Sequence, residues 1–518
     1  MKEALVGAFF LLRCTVGLAQ ETFNVVYDLG LNTLGMCIME KDEGYLTASL
    51  VLDTLDGYYL SIRIAGINSQ GQVEFVNQIG SPDKEYSISS DANLTLHNGE
   101  YLIAGHTYDS DLGIAMACVF WLNEFGDTLK TLKFASPYAE PQEIDDNSFI
   151  VPTYLATDSL GNRYVSCQIA NNITANDFMI QQILPNGELG WQYVYATPAD
   201  PDLCFALAGT SDGVVAVCSG TLSGDPPTRY SRCFEISHDN IFHLFYDHPD
   251  VLPVGHSNDF VLEPDGIVIA TEILNNEWNG FVPYLYKVDY DGNELWSNTL
   301  SQYGYHTDQW GRNMVATNDG GYLMVAQLYE SLQNDTLNGD YNWNAWMVKF
   351  DHEGVIQWER FFHYVESTQD QHLVYDLKAT QDGGYIFCGE ATDLCIAPDC
   401  HNSQQGWLVK VDGCGCLVPG CDPNCSTDTT DYSFEHYFIA GPNPFSQYLN
   451  LYISENLELD GIYQIQLYDM SGRLVNEFSF SNNRITYMWN LNDIANGNYV
   501  LSLRRGDEIL QVENVIKR

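Results

Sequence analysis

From residue 23 onward the chain alternates short apolar runs with polar turns that carry glycine. Runs such as "YLMVAQLYES" (Tyr322 to Ser331) and "YIFCGEATD" (Tyr385 to Asp393) are rich in β-branched and aromatic residues, which predicts strands. Both are entered through the same tetrapeptide, "DGGY", at Asp319 and at Asp382. Weaker copies stand upstream at Asp265, Asp212, Gly161, Asn98 and Asp42, seven in all. Each copy has one internal order: strand, Asp-Gly or Asn-Gly turn, second strand, variable polar loop, third strand, second turn, fourth strand. Glycine in the turn supplies the positive φ that a tight hairpin requires. The second turn recurs as "KVDYDGNELW" and "KFDHEGVIQW". Its "DYDGNE" (Asp289 to Glu294) is turn chemistry rather than a calcium loop, since the twelfth position is Leu300 and not glutamate.

Repeats of four antiparallel strands predict a β-propeller. The count of fourth strands locates its closure. "FNVVYDLG" (Phe23 to Gly30) precedes the first copy, and the last copy lacks a fourth strand of its own. The N-terminal strand is therefore expected to complete the last blade, giving an all-β, seven-bladed propeller over residues 20–413. The repeats resemble the "DGGY…KxD…G…W" propellers of exported bacterial proteins, a resemblance that implies fold rather than activity.

The pattern changes after a Cys-rich linker, residues 414–435. Residues 436–518 alternate apolar and polar positions between turns, as in a small antiparallel sandwich of Ig-like type. This segment carries "PNPF" (Pro442, Asn443, Pro444, Phe445), "LYDMSGRLV" with Gly472, "GNYVLSL" with Gly497 and Tyr499, and a basic end with Lys517. It resembles the type A C-terminal sorting domain of the type IX secretion system, departing from it at Gly441, where the family often has tyrosine. The resemblance implies recognition by the type IX translocon and its processing machinery. It also implies removal of the domain, with release or glycolipid attachment at the outer-membrane surface. The "RGD" at Arg505 to Asp507 falls where a hairpin must turn.

Charge narrows the partners. With 22 basic against 69 acidic residues the net charge is −47, which repels nucleic acid and anionic membranes. Residues 1–19 read as a signal peptide: Lys2, an apolar run from Ala4 to Leu12, and small residues before Gln20. No later segment is long and apolar enough to span a bilayer, so none is expected in the mature chain. Of 14 cysteines, seven crowd between Cys388 and Cys425. In an oxidising compartment Cys395, Cys400, Cys414, Cys416, Cys421 and Cys425 are disulfide candidates, and paired CxxC knuckles for zinc are lacking. Cys14 falls within the signal peptide, and the remaining six mostly lie in apolar runs and read as buried thiols.

Hairpin turns on one face send the longer loops to the other. There Trp278, Tyr305, His306, Asp308, Trp310, Trp343, Asp370 and His372 make up the candidate ligand surface, aromatic platforms beside groups that bond hydroxyls. His256 with Asp259, His306 with Asp308 and Asp370 with His372 read as equivalent pairs that could act as acid and base or hold a metal. No catalytic motif accompanies them. "SPDK" (Ser81 to Lys84) matches Ser-x-x-Lys without its partner motifs. The sequence thus predicts an exported surface or secreted binding module for glycan or protein, with no cofactor, metal or catalytic residue assigned. The competing readings are a carbohydrate-active enzyme on the long-loop face and a purely structural adhesion component.

Overall fold

The computed structural model describes residues 21–53, 59–89, 94–97, 99–139, 149–170, 177–195, 200–222, 228–248, 259–275, 280–300, 310–331, 341–364, 370–393, 404–418, 421, 438–441, 448–453, 462–469, 473–481, 486–506 and 508–517. Among them every regular element is a strand. The signal-peptide reading and the "PNPF" motif lie outside the described residues, as does Gly472.

The first strand, β1 (Phe23–Tyr27), does not pair with its successor. Four-stranded antiparallel sheets follow: β2 (Leu31–Glu40), β3 (Tyr45–Asp53), β4 (Tyr59–Ile67) and β5 (Val73–Ile79), then β6 to β9 over 94–135, β10 to β13 over 149–195, β14 to β17 over 200–248 and β18 to β21 over 259–299. The next strands, β22 to β25 over 310–362 and β26 to β28 over 370–411, form one sheet, because Asn342 and Trp343 pair in parallel with Asp370 and Gln371. That sheet's outer member is β1, antiparallel to β28 (Gln404–Val411) from Phe23 opposite Lys410 to Tyr27 opposite Gly406. The N-terminal strand thus occupies the fourth place in the last unit, as its sequence position led us to expect.

Apolar alternation explains how the units stack. Each sheet buries side chains on both faces, and consecutive sheets share one core. Met36, Ile62 and Ile64 meet Tyr101, Ile103 and Phe120; Leu102 and Val119 on the other face meet Val165 and Cys167. Shared cores continue through Phe178 with Phe234, Val217 with Ile269, Val268 with Met324, and Met347 with Phe387. The last one returns to the start: Phe23, Tyr27 and Leu408 pack with Ile38, Tyr45 and Ile67. The series of sheets therefore closes on itself.

Two further sheets follow, β29 (Phe438–Gly441), β30 (Tyr448–Ile453) and β33 (Thr486–Asn490) in one and β32 (Leu474–Ser481), β31 (Ile462–Asp469), β34 (Gly497–Arg505) and β35 (Glu508–Lys517) in the other. Both contribute to a single core that includes Leu449, Leu451, Tyr463, Trp489 and Leu501.

Candidate functional site

The repeated punctuation is chemically joined. The lysine of each Lys-x-Asp reaches back to the aspartate of its own unit's first hairpin, Lys287 to Asp265 at 2.7 Å, Lys349 to Asp319 at 2.8 Å and Lys410 to Asp382 at 2.9 Å. The lysine ends are buried and the carboxylates face solvent, so the pair covers an ammonium that would otherwise sit unpaired in the core. Burial alone would raise the Asp319 carboxyl, but its bonds from Lys349 and Thr317 outweigh that and hold it below the usual range. The second turns are self-contained. Asp289 Oδ1 accepts from the amides of Asp291 (3.0 Å) and Asn293 (2.7 Å), and Asp351 and Asp412 repeat the arrangement. These carboxylates are turned onto their own loops, in keeping with turn chemistry.

The first strands of successive units lie side by side: β2, β6, β10, β14, β18, β22 and β26 in order, with β26 returning to β2. Carboxylates staple them. Asp376 of β26 (Asp370–Ala379) accepts from its neighbour Leu377 N and from Ile38 N of β2, both at 2.9 Å. Asp259 of β18 (Asp259–Glu263) does the same with Phe260 N (2.8 Å) and with Met314 N of β22 (Trp310–Ala316) at 2.9 Å. Lys378 Nζ adds a bond of 2.5 Å to Asp376 and keeps 22% of its side chain exposed beside a wholly buried partner. Among the described residues no such cation bonds Asp259, and burial pushes its carboxyl up to about 6.

These registers revise the pairing read from sequence. Counted back from the hairpins, Asp259 is level with Asn313 and Asp376, not with Asp308 and Asp370. Asp370 stands at the far end of β26, opposite Asp393. His372 is fully buried: its Nε2 accepts from Tyr364 N at 2.9 Å and its Nδ1 lies 3.1 Å from Trp343 O. Donation from Nδ1 to that carbonyl fixes the neutral tautomer, and burial lowers the imidazole to about 3. Its surroundings are the rings of Trp407 and His363. Trp343 is half-buried and contributes the carbonyl. Of the other candidates, Trp278, Tyr305, His306, Asp308 and His256 lie outside the described residues, and the structure describes only the backbone of Trp310 and Asp370. Among the described residues no three His, Cys, Asp or Glu side chains gather as a metal site. Asp376, Asn313 and Lys378 were not singled out from sequence. Their signal was the alignment of "DLKATQDGG" with "NMVATNDGG", which sets Asp376 over Asn313.

Cys416 and Cys421 form a disulfide, and Cys414 is also disulfide-bonded. Cys395, Cys400 and Cys425 lie outside the described residues. Cys37, Cys118, Cys167, Cys204, Cys218, Cys233 and Cys388 are buried thiols, and burial pushes that of Cys204 up to about 12. In the C-terminal domain Lys517 is buried in β35 (Glu508–Lys517), opposite Gly497. Its ammonium donates to the carbonyls of Leu491 (2.6 Å), Asn492 (2.9 Å) and Ile494 (2.8 Å), while the Tyr499 hydroxyl donates to Ala495 O. Arg505 and Gly506, φ +60°, lead the hairpin turn foreseen for "RGD".

Residues 441–518 match the family of secretion system C-terminal sorting domains. A domain of this family marks a chain handled by the type IX secretion machinery, hence one exported to the cell surface or beyond it. No curated protein matches the chain. Similar solved structures include the β-propeller domain of the trilobed protease from Pyrococcus furiosus, 10% identical over 72% of this chain and 97% of that one, TM-score 0.39. The WD40 domain of SCAP from fission yeast is 10% identical over 77% of this chain and 99% of that one, TM-score 0.35. A protein of unknown function from Bacteroides caccae is 13% identical over 58% of this chain and 90% of that one, TM-score 0.31. At these scores none of the three bears on what this chain does.

Proposed function

We propose that residues 20–413 are a seven-bladed β-propeller that serves as a binding module for a glycan or protein ligand. In this reading residues 1–19 direct export, residues 414–435 are a linker, and residues 436–518 are an Ig-like sorting domain. The single observation that carries it is the closed series of shared cores, from Met36 and Phe120 round to Phe23 and Ile38. Such a ring fixes the hairpins on one side and leaves the long connections as the surface free to vary. Two polar groups from the inner strands, Asp259 and His372, bond main-chain groups, which favours a scaffold over an acid–base pair. The full-length protein should bind a subset of a glycan and surface-protein array, and binding should fall when aromatic residues of the connections, Trp278 or Tyr305, are changed to alanine. An array with no binder, together with turnover of any glycoside, would replace the module by an enzyme.

A further inference from the structure

Ser81 and Lys84 close a tight turn in the β5–β6 connection, Ser81 N to Lys84 O at 3.0 Å and Lys84 N to Ser81 O at 2.9 Å. The Ser-x-x-Lys tetrapeptide is thus a turn that presents a lysine. Its ammonium lies 5.9 Å from the centroid of the Tyr86 ring, and Lys133 Nζ, from β9 (Thr128–Ala135), lies 5.6 Å from the same centroid. The two ammonium groups thus gather at one ring, close enough that each feels the other's charge. Phe120 stands edge-on against Tyr86 at 5.4 Å and fixes the ring.

Like charges in contact repel, and an acidic chain has carboxylates in plenty with which to separate them. None does so here. Among the described residues no carboxylate bonds either lysine. Asp109, the acid whose charge reaches both, is held by its own loop: its Oδ1 accepts from Asp111 N and Leu112 N, each at 3.2 Å. Burial and the neighbouring Lys84 together lower the Lys133 ammonium, a cost that a bound anion would remove. Two cationic donors gathered at one phenol ring, with no carboxylate bonded to either among the described residues, are the complement of an oxyanion.

We propose that Lys84 and Lys133, gathered at the Tyr86 ring, form an oxyanion-binding site that takes the carboxylate or sulfate of an acidic sugar. The proposal rests on the glycan-binding reading for the sugar and on the geometry alone for the anion. A field of −47 repels polyanions, so the site suits a single oxyanion on an otherwise neutral ligand.

The test uses full-length protein with 13C-labelled lysine, titrated by NMR in sodium sulfate and in sodium chloride at matched ionic strength, then with uronate-bearing, sulfated and neutral oligosaccharides. Sulfate should raise the apparent pKa of Lys133 by about one unit relative to chloride. Lys84→Ala and Lys133→Ala should each weaken acidic-sugar binding about tenfold, with Lys133→Arg retaining it. Identical Lys133 titrations in sulfate and chloride would overturn the site. Sulfate binding with no preference for acidic over neutral sugars would overturn the sugar assignment. Acidic-sugar binding indifferent to both alanine variants would leave the module reading intact while sinking this site.

Discussion

At the scale of single residues, Asp259 is the group with an electrostatic debt. Its carboxyl is pushed from 3.8 to about 6 by burial, and the amides of Met314 and Phe260 only partly offset this. A folded-state value above the unfolded one means that folding takes up a proton between them. Stability from this group is therefore full below pH ~4 and is lost as pH rises through about 6, a difference of about 3 kcal/mol for two pK units. Asp319 and Asp382, held low by their lysines, act in the opposite sense, but only as pH falls below the ordinary carboxylate range. The two windows do not overlap. Measured by urea unfolding between pH 4.5 and 7.5, Asp259→Asn should make the slope of stability with pH more positive by about one proton near pH 5 than in the parent protein. An unchanged slope in the variant would show that Asp259 is not the titrating group. His372 acts in the opposite sense in part of the same window: its imidazole stays neutral down to about 3 in the fold but takes up a proton below about 6.5 when unfolded, so its stability is full above that value and falls as pH drops below it.

At the scale of the element, turns were legible in the sequence because their chemistry is local. Gly320 and Gly354 both have positive φ, +83° and +77°, as Asp-Gly and Glu-Gly hairpins require. What surrounds them was not legible. Nothing lies within 4 Å of a Cβ added to Gly320, whereas one added to Gly354 would stand 2.5 Å from the Trp296 ring of the preceding unit. Gly320→Ala should cost about 1 kcal/mol, the strain of a left-handed residue alone. Gly354→Ala should cost about 2–4 kcal/mol, since Trp296 must also move out of its packing. Equal costs in thermal unfolding would mean that the tryptophan is not holding the two sheets together. The same division explains the inner strands. Asp259 was visible as a polar residue entering a strand, but its partners are set by register between units. The connections that precede these strands vary in length, so counting along them placed Asp308 and Asp370 where Asn313 and Asp376 belong. Likewise the Lys349–Asp319 pair joins two motifs that the repeat displays separately.

At the scale of the whole molecule, closure depends on five residues at the start of the described chain. β1 supplies the last sheet's outer strand and, in Phe23 and Tyr27, two of the nine buried residues of the core that joins the last unit to the first. Tyr27 does most of this: its ring lies against Gly406, where an added Cβ would meet it at 2.3 Å, and its hydroxyl bonds Ser49 at 2.9 Å across the seam. Phe23 covers Gly71 of the first unit, and the Thr22 hydroxyl donates to Leu417 O at 2.5 Å, next to the Cys416–Cys421 disulfide. The seam is thus a strand pairing with a covalent staple beside it, and the staple cannot substitute for the core. Tyr27→Ala should destabilise the ring by about 3–5 kcal/mol, as a large aromatic lost from a core does. Loss of β1 would then uncover the hydrogen-bonding edge of β28. Hydrogen exchange should show amides 406–410 losing protection together with those of β1, while those of β31 (Ile462–Asp469) in the separate C-terminal core keep theirs. If 406–410 stay protected in the variant, the ring is held shut by something other than the N-terminal strand. Uniform loss across both cores would mean instead that the sorting domain and the ring unfold as one unit.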